Sequence, residues 1–139
     1  MISKWATLKR TEIENLKIFN VTKCHREHPI WRNEGNFVVL EAPSWANIIP
    51  VTQSGNIVMV EQYRHGVDEI TLELPGGMVE PNEDPGTAAE RECLEETGYL
   101  GEGRAILLGD DFPNPAFMNN THYCYVWHNC ERVRRQSLD

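Results

Sequence analysis

Carboxylates are concentrated in one part of this 139-residue sequence, between Glu61 and Glu96. That stretch holds eleven acidic and two basic residues, a net charge of −9, whereas the rest of the chain, with ten acidic and eleven basic residues, carries +1. Oxygen ligands of this kind are those that Mg²⁺, Mn²⁺ and Ca²⁺ prefer. The local excess therefore predicts a divalent-cation site. The overall charge of −8 argues against a protein that binds nucleic-acid phosphates over a broad surface.

Three glutamates of this stretch share one face of a predicted helix. An Asp-Pro pair at its start and a glycine just after its end predict a helix over Pro85–Thr97. Positions three and four apart lie on the same face, so Glu92, Glu95 and Glu96 would crowd together. Two such charges about 4 Å apart repel by roughly 4 kcal/mol at an effective dielectric near 20. A bound cation would reverse this repulsion, and the alternative is a solvated acidic face.

The helix and the loop before it have a recognisable spacing. Gly77 is followed by five residues, Glu83, seven residues and then the run RECLEETGY from Arg91 to Tyr99. This arrangement resembles the signature of Nudix hydrolases, Gly-x5-Glu-x7-Arg-Glu-U-x-Glu-Glu-x-Gly-U, in which U is apolar. Every fixed position of the signature matches.

The resemblance implies which groups would act. The catalytic set would be the charged part of the signature: Glu83, Arg91, Glu92, Glu95 and Glu96. In the family, the first and last glutamates of the helical run bind Mg²⁺ or Mn²⁺, which here are Glu92 and Glu96, and the backbone carbonyl of Gly76 would join them. The signature arginine and the first glutamate would brace these ligands, and Glu95 would support them or act as a base.

Segments outside the signature resemble the ADP-ribose pyrophosphatase-like branch of the family. The runs EQYR at 61–64 and LELPGG at 72–77 look like a strand pair of those enzymes. In that pair the arginine faces phosphate and the glutamate lies near the metals, roles that Arg64 and Glu73 would inherit. The resemblance therefore implies a nucleoside diphosphate sugar, ADP-ribose above all, as substrate.

Further expectations concern the nucleotide. Pro115 stands sixteen residues after Tyr99, the offset at which a proline marks ADP-ribose-type members. Phe117 is a candidate to contact the substrate, although any one aromatic side chain more often packs against the protein. In relatives the base is often held by the partner subunit's N-terminal sheet, so we expect a homodimer. We accordingly divide the chain into an N-terminal β segment, 1–45, and a catalytic core, 46–139.

Three functions fit parts of the sequence. The first is a Mg²⁺-dependent pyrophosphatase that hydrolyses ADP-ribose or a related nucleotide sugar to a nucleoside monophosphate and a phosphorylated product. The second is a non-catalytic Nudix-like module that binds a nucleotide. The third, an acidic calcium-binding surface, would leave the signature spacing unexplained. Relatives continue beyond a segment like 131–139 into an acidic loop, a strand and a long helix, so we expect either a fragment or a core without that helix.

The sequence contains no membrane or secretion signal. No run approaches the roughly 20 apolar residues that a membrane helix requires, and the chain does not start with an apolar segment. We therefore expect a cytoplasmic protein without a membrane or nucleic-acid partner. Its four cysteines form no Cys-x-x-Cys pair, and we expect them to be reduced and mostly buried.

The expected fold is of the α+β class, a Nudix-type α/β/α sandwich in which a mixed sheet carries the signature helix. Runs of β-favouring residues predict the strands. They fall at 16–23, 36–42, 45–51, 57–63, 72–74, 105–108 and 122–127. Residues 52–56 are predicted to form the turn of a hairpin, 75–77 a sharp turn, 109–120 a loop and 131–139 a charged tail.

Overall fold

The computed structural model describes residues 2–137, which divide into two compact units. Within that range, the first consists of residues 2–43 and 112–120, and the second consists of residues 44–111 and 121–137. The second unit contains the whole of the predicted signature.

The first unit is built on a three-stranded antiparallel sheet of order β1-β2-β3. Its strands are β1 (Ala6–Asn15), β2 (Asn20–Glu27) and β3 (Glu34–Glu41). The prediction missed β1, which is exposed along its whole length and therefore lacks the alternation of buried and exposed residues that signals a strand. The strand predicted at 16–23 begins only at Asn20, because the four residues before it form a turn. Residues 16–19 form a turn in which the Leu16 N–H donates to the Phe19 carbonyl at 3.0 Å.

The second unit is built on a mixed sheet of order β7-β4-β10-β8, with β9 also paired to β10. The members are β4 (Trp45–Thr52), β7 (Gly76–Met78), β8 (Tyr99–Leu100), β9 (Ile106–Asp111) and β10 (His122–Arg132). Strands β4 and β10 run parallel, and the other pairs are antiparallel. A separate two-stranded sheet pairs β5 (Val60–Arg64) with β6 (Glu69–Glu73).

One helix, α1 (Pro85–Thr97), lies on the mixed sheet, and its predicted bounds are confirmed. Ala89 and Cys93 of α1 share a buried core with five residues of β4 and β10: Ala46, Ile48, Tyr125, Trp127 and Cys130. No other helix occurs within residues 2–137, and none in that range has the length and apolar character needed to cross a membrane. The prediction of buried thiols is confirmed for three of the four cysteines, Cys124 being half-buried.

Three local predictions were wrong. The hairpin expected between 45–51 and 57–63 is reduced to a single bridge, Val51 to Ile57, because the following strand pairs with β6 instead. The turn expected at 75–77 partly forms β7, an edge strand hydrogen-bonded to β4. The predicted loop and tail are shorter, because 109–111 belong to β9 and 131–132 belong to β10, where they pair with β8. Residues 138–139 of that tail lie outside the described part.

Candidate active site

Helix α1 begins and ends at residues that fix its position. Asp84 has extended backbone (φ −71°, ψ 131°), and its carboxylate accepts a hydrogen bond from the Thr87 N–H at 3.0 Å, with Pro85 as the first helical residue. Gly98 has a φ of 75°, in the left-handed region that favours glycine, and its N–H donates to the Leu94 carbonyl at 3.0 Å. Because both ends are fixed, the directions of the helical glutamates are set as well.

Arg91 connects three of the predicted carboxylates. Its Nε and Nη2 donate to the two oxygens of Glu83, at 3.0 and 3.2 Å. Its Nη1 donates to Glu92 at 2.8 Å and to Glu95 at 3.2 Å, and its Nη2 also reaches the Met78 carbonyl at 3.2 Å. The Arg91 hydrogen bonds hold the pKa of Glu83 below its usual value, and the same pair raises the pKa of Arg91. We call these four charged residues the Arg91 cluster.

Two glycines bring the backbone of β7 against the carboxylates of α1. The Gly76 N–H donates to Glu96 Oε2 at 3.0 Å. A Cβ atom at Gly77 would collide with the Glu92 carboxylate, and one at Gly76 would lie 2.7 Å from Asn47 Nδ2. Close approach therefore requires glycine at both positions.

Glu96 is half-buried, and burial is the main reason that its pKa is raised. The hydrogen bond from Gly76 and the positive charge of Arg64 lower the pKa of Glu96. The negative charges of Glu92 and Glu73 raise it further. The charges of Glu92 and Glu73 thus both act on Glu96. A bound cation would relieve their repulsion.

Arg64 and Glu73 form a two-bond ion pair beside Glu96. Arg64 Nε and Nη2 donate to the two oxygens of Glu73 at 2.8 and 2.7 Å, and the Thr71 hydroxyl donates to the same carboxylate. These bonds lower the pKa of Glu73 to about 2. We call Glu96, Gly76, Glu73 and Arg64 the Glu96 cluster.

A cavity of about 890 Å³ opens on these carboxylates, within the size range of small-molecule sites. Helix α1 contributes Glu92, Glu95 and Glu96 to its wall, and β5 contributes Val60, Glu61 and Gln62. A smaller cavity of about 330 Å³ lies on the sheet of the first unit and contains none of the predicted site residues.

The donor set suits a divalent cation. Within residues 2–137, no three His, Cys, Asp or Glu side chains converge into a complete metal cage. Arg91 holds one oxygen of Glu92, and Gly76 holds one oxygen of Glu96. The second oxygen of each carboxylate accepts no hydrogen bond from the described residues and stays available beside the glycine backbone. Carboxylate and carbonyl oxygens are the ligands that Mg²⁺ and Mn²⁺ take, so these residues fit the predicted metal.

Pro115 and Phe117 belong to the first unit. They lie in a turn closed by the Asn114 carbonyl, which accepts from the N–H groups of Phe117 and Met118 at 3.2 and 2.9 Å. The Phe117 side chain is 43% exposed. Their role in substrate binding stays a prediction.

Sequence reasoning missed two polar residues next to the site. Asn47 is a half-buried residue of β4, and its Oδ1 is 2.9 Å from His122 Nε2 at the start of β10. The available signal was that Asn47 is the one polar residue in the otherwise apolar run 45–50. Nothing in the sequence indicated its partner, which is 75 residues away.

Comparison with known proteins gives the family. Residues 43–138 match the family model described as the NUDIX domain. This match covers more than half of the chain, which therefore belongs to the Nudix family, as the signature predicted.

Two curated relatives are similar in sequence, and one solved structure is similar in fold. Over 88 residues the chain is 36% identical to the methanol dehydrogenase activator of Bacillus methanolicus and 38% identical to the ADP-ribose pyrophosphatase of Bacillus subtilis (strain 168). Each alignment covers 63% of this chain and 47% of the relative, so the chain spans about half the length of the curated relatives it matches. A crystal structure of an ADP compounds hydrolase superimposes with a TM-score of 0.83 at 18% identity, covering 100% of this chain and 73% of that one. This likeness confirms the predicted fold class.

Proposed function

We propose that the chain is the core of a divalent-metal-dependent hydrolase that cleaves the diphosphate bridge of ADP-ribose or a related nucleotide sugar. Water would form a new bond to one phosphorus while the bridging P–O bond breaks. The products would be a nucleoside monophosphate and a sugar phosphate. The observation that carries this proposal is the placement of Glu92 and Glu96 against the Gly76–Gly77 backbone at the wall of a nucleotide-sized cavity.

Glu92, Glu96 and the Gly76 carbonyl would hold Mg²⁺ or Mn²⁺. When bound, the ion neutralises diphosphate oxygens, polarises phosphorus and lowers the pKa of a coordinated water. Arg91 orients the ligands, because its two bonds to Glu83 and one to the Met78 carbonyl fix the guanidinium that holds Glu92.

The proton of the attacking water needs an acceptor. Glu95 lines the cavity, its side chain is 40% exposed, and only one of its oxygens accepts from Arg91. We assign Glu95 as the base on this ground. The guanidinium of Arg64 would meet substrate phosphate, since its charge already acts on Glu96 while Glu73 holds it in place.

The substrate class is supported by the relative from Bacillus subtilis, which is named an ADP-ribose pyrophosphatase. The predicted contacts of Pro115 and Phe117 with the nucleotide, and a homodimer in which residues 1–45 help to bind the base, belong to the same proposal.

The experiment is incubation of the full chain with ADP-ribose in ¹⁸O-labelled water, with Mg²⁺, with Mn²⁺ and with excess EDTA. We expect AMP and ribose 5-phosphate in both metal arms, one of them carrying the label, and no product with EDTA. Chromatography and mass spectrometry identify both products. Tight binding of nucleoside diphosphate sugars without hydrolysis in any arm would contradict the proposal and identify a non-catalytic nucleotide-binding module.

A further inference from the structure

The side chain of Asn47 bridges two parts of the second unit. Its Nδ2 donates to the Leu74 carbonyl at 3.3 Å, and its Oδ1 lies 2.9 Å from His122 Nε2. Leu74 lies just before β7, at the end of the segment that leads into Gly76–Gly77. Asn47 thus joins the start of β10 to the backbone that enters the candidate site.

The chemistry of these partners fixes the direction of each bond. A carbonyl oxygen only accepts, so the amide nitrogen of Asn47 must face Leu74. The amide oxygen then faces His122, whose Nε2 must carry the proton that it donates. On the other side of the ring, Asp111 Oδ1 lies 3.4 Å from His122 Nδ1, in the paired strand β9. The bond to Asn47 therefore fixes the Nε2 side of the ring, whereas the contact with Asp111 is attractive only when Nδ1 also carries a proton.

The same asparagine sets the position of the glycine backbone. Asn47 is the register partner of Gly76 in the β4–β7 ladder, and the Gly76 Cα packs against the Asn47 amide so closely that a Cβ would lie 2.7 Å from Nδ2. The neighbouring Ile48 N–H donates to the Pro75 carbonyl at 3.0 Å. On its other side Gly76 donates to Glu96. A shift of the Asn47 side chain would therefore move the amide that holds Glu96.

We propose that Asn47 and His122 are positioning residues for the hydrolysis. The pair would hold the backbone from Leu74 to Gly76 in place. There the Gly76 N–H donates to Glu96, and the Gly76 carbonyl would join Glu96 in binding the metal. This inference rests on the proposed function for its kinetic consequence, but the hydrogen-bond relay itself can be tested without any substrate.

The experiment uses the full chain with Asn47→Ala, His122→Ala or His122→Gln. The matched control is Ser44→Ala, because Ser44 Oγ accepts from the Thr121 N–H at 3.2 Å and so ties β4 to β10 without contacting the glycines. Three quantities are measured: amide hydrogen exchange at Gly76 by NMR, Mn²⁺ affinity by electron paramagnetic resonance, and kcat and KM for ADP-ribose.

We expect both alanine variants at the pair to speed Gly76 exchange by at least about 10-fold. They should also weaken Mn²⁺ binding and lower kcat by about 10- to 100-fold, with KM changed by less than about 3-fold. The His122→Gln variant keeps a donor for Asn47 and should recover most of the loss. The Ser44→Ala variant should stay within about 2-fold of the unmodified chain in every measurement.

Several results would overturn the inference. They are unchanged Gly76 exchange in the alanine variants, an equal effect of Ser44→Ala, or faster exchange without any loss of Mn²⁺ affinity or kcat. If Asn47→Ala fails to fold, the His122 variants decide by the same criteria. If the unmodified chain neither binds Mn²⁺ nor hydrolyses any nucleotide sugar, the proposed function fails, while Gly76 exchange still tests the relay.

Discussion

Glu83 of the Arg91 cluster and Glu96 of the Glu96 cluster are held in opposite ways. In the Arg91 cluster, a guanidinium makes two bonds to Glu83 and holds its pKa below the usual value. In the Glu96 cluster, the key carboxylate is half-buried, has a backbone amide as its hydrogen-bond donor and has a raised pKa. The charge of Glu83 is compensated by a direct ion pair, whereas Glu96 is half-buried near the charges of Glu92 and Glu73.

The difference separates a carboxylate that stabilises the fold, Glu83, from one that is kept for a ligand, Glu96. A carboxyl group with a lowered pKa in the folded state stabilises the protein above its unfolded pKa. A carboxyl group with a raised pKa does the reverse, and stability falls as pH rises from the ordinary glutamate pKa through the raised one. Glu96 therefore weakens the unliganded fold at neutral pH, as expected of a ligand to a cation.

The largest effect should come from Glu96→Gln. Without its charge, kcat for ADP-ribose should fall by at least about 100-fold. The free energy of unfolding at pH 7 should stay equal or rise, because glutamine still accepts from Gly76 and removes the crowded charge. Product assays and urea denaturation measure the two quantities, with Glu80→Gln as an exposed control. A normal rate, or a clear loss of stability, would remove the contrast between the clusters.

Arg91→Lys should reduce both activity and stability. An ammonium group cannot reproduce the two-bond pair with Glu83 while reaching Glu92, so we expect a loss of about 1–3 kcal/mol in unfolding free energy and about 10- to 100-fold in kcat. The matched control is Arg104→Lys. Arg104 pairs with Asp84 and Glu90, but its side chain is 65% exposed against 29% for Arg91, so solvent screening should keep its change below about 1 kcal/mol. Equal losses for the two variants would show that the Arg91 cluster has no special bracing role.

Gly77→Ala should lower the rate of hydrolysis more than the stability of the fold. The added methyl group would push the Glu92 carboxylate away, and we expect kcat to fall by about 10-fold. Gly109→Ala is the control, because a Cβ at Gly109 meets no atom within 4 Å. Steady-state kinetics of the two variants, with thermal unfolding as the check on folding, distinguishes them. Similar kinetics would mean that close approach at Gly77 is not required.

The smallest effect should be the pH dependence of the stability that Glu73 contributes. Its folded-state pKa of about 2 lies below the unfolded value, so its contribution to stability is present above the ordinary glutamate pKa and is lost as pH falls toward 2. Because Arg64 is 47% exposed, solvent screening should keep that contribution below about 1 kcal/mol. The difference in unfolding free energy between the unmodified chain and Glu73→Gln should shrink steadily from pH 6 to pH 3. A constant or growing difference would contradict this.

Local signals account for what could be predicted from the sequence. The bounds of α1 follow from Asp84, Pro85 and Gly98, which act within one turn of each end. Only seven residues separate Glu83 from Arg91, so their contact also depends on a short stretch of chain. The family could be recognised for the same reason, since the signature lies in one continuous segment.

Long-range pairing accounts for what could not be predicted. The bond between Asn47 and His122 depends on the parallel register of β4 and β10, which pairs His122 with Trp45 and which no local pattern encodes. Strand β1 was missed because its exposed residues satisfy no hydrophobic alternation. The end of β10 was predicted as a tail because Glu131 and Arg132 are charged, and nothing in the sequence indicated that they pair with β8.

The parallel pairing of β4 and β10 also bears on how the chain reaches its native state. Helix α1 is closed by neighbouring residues and can form within microseconds, whereas β4 and β10 must meet across the whole intervening chain. In a refolding experiment, helical circular dichroism should therefore recover before Gly76 becomes protected. The proposed hydrolytic activity would be among the last properties acquired, and substitutions that slow this strand docking would delay it without altering the native structure.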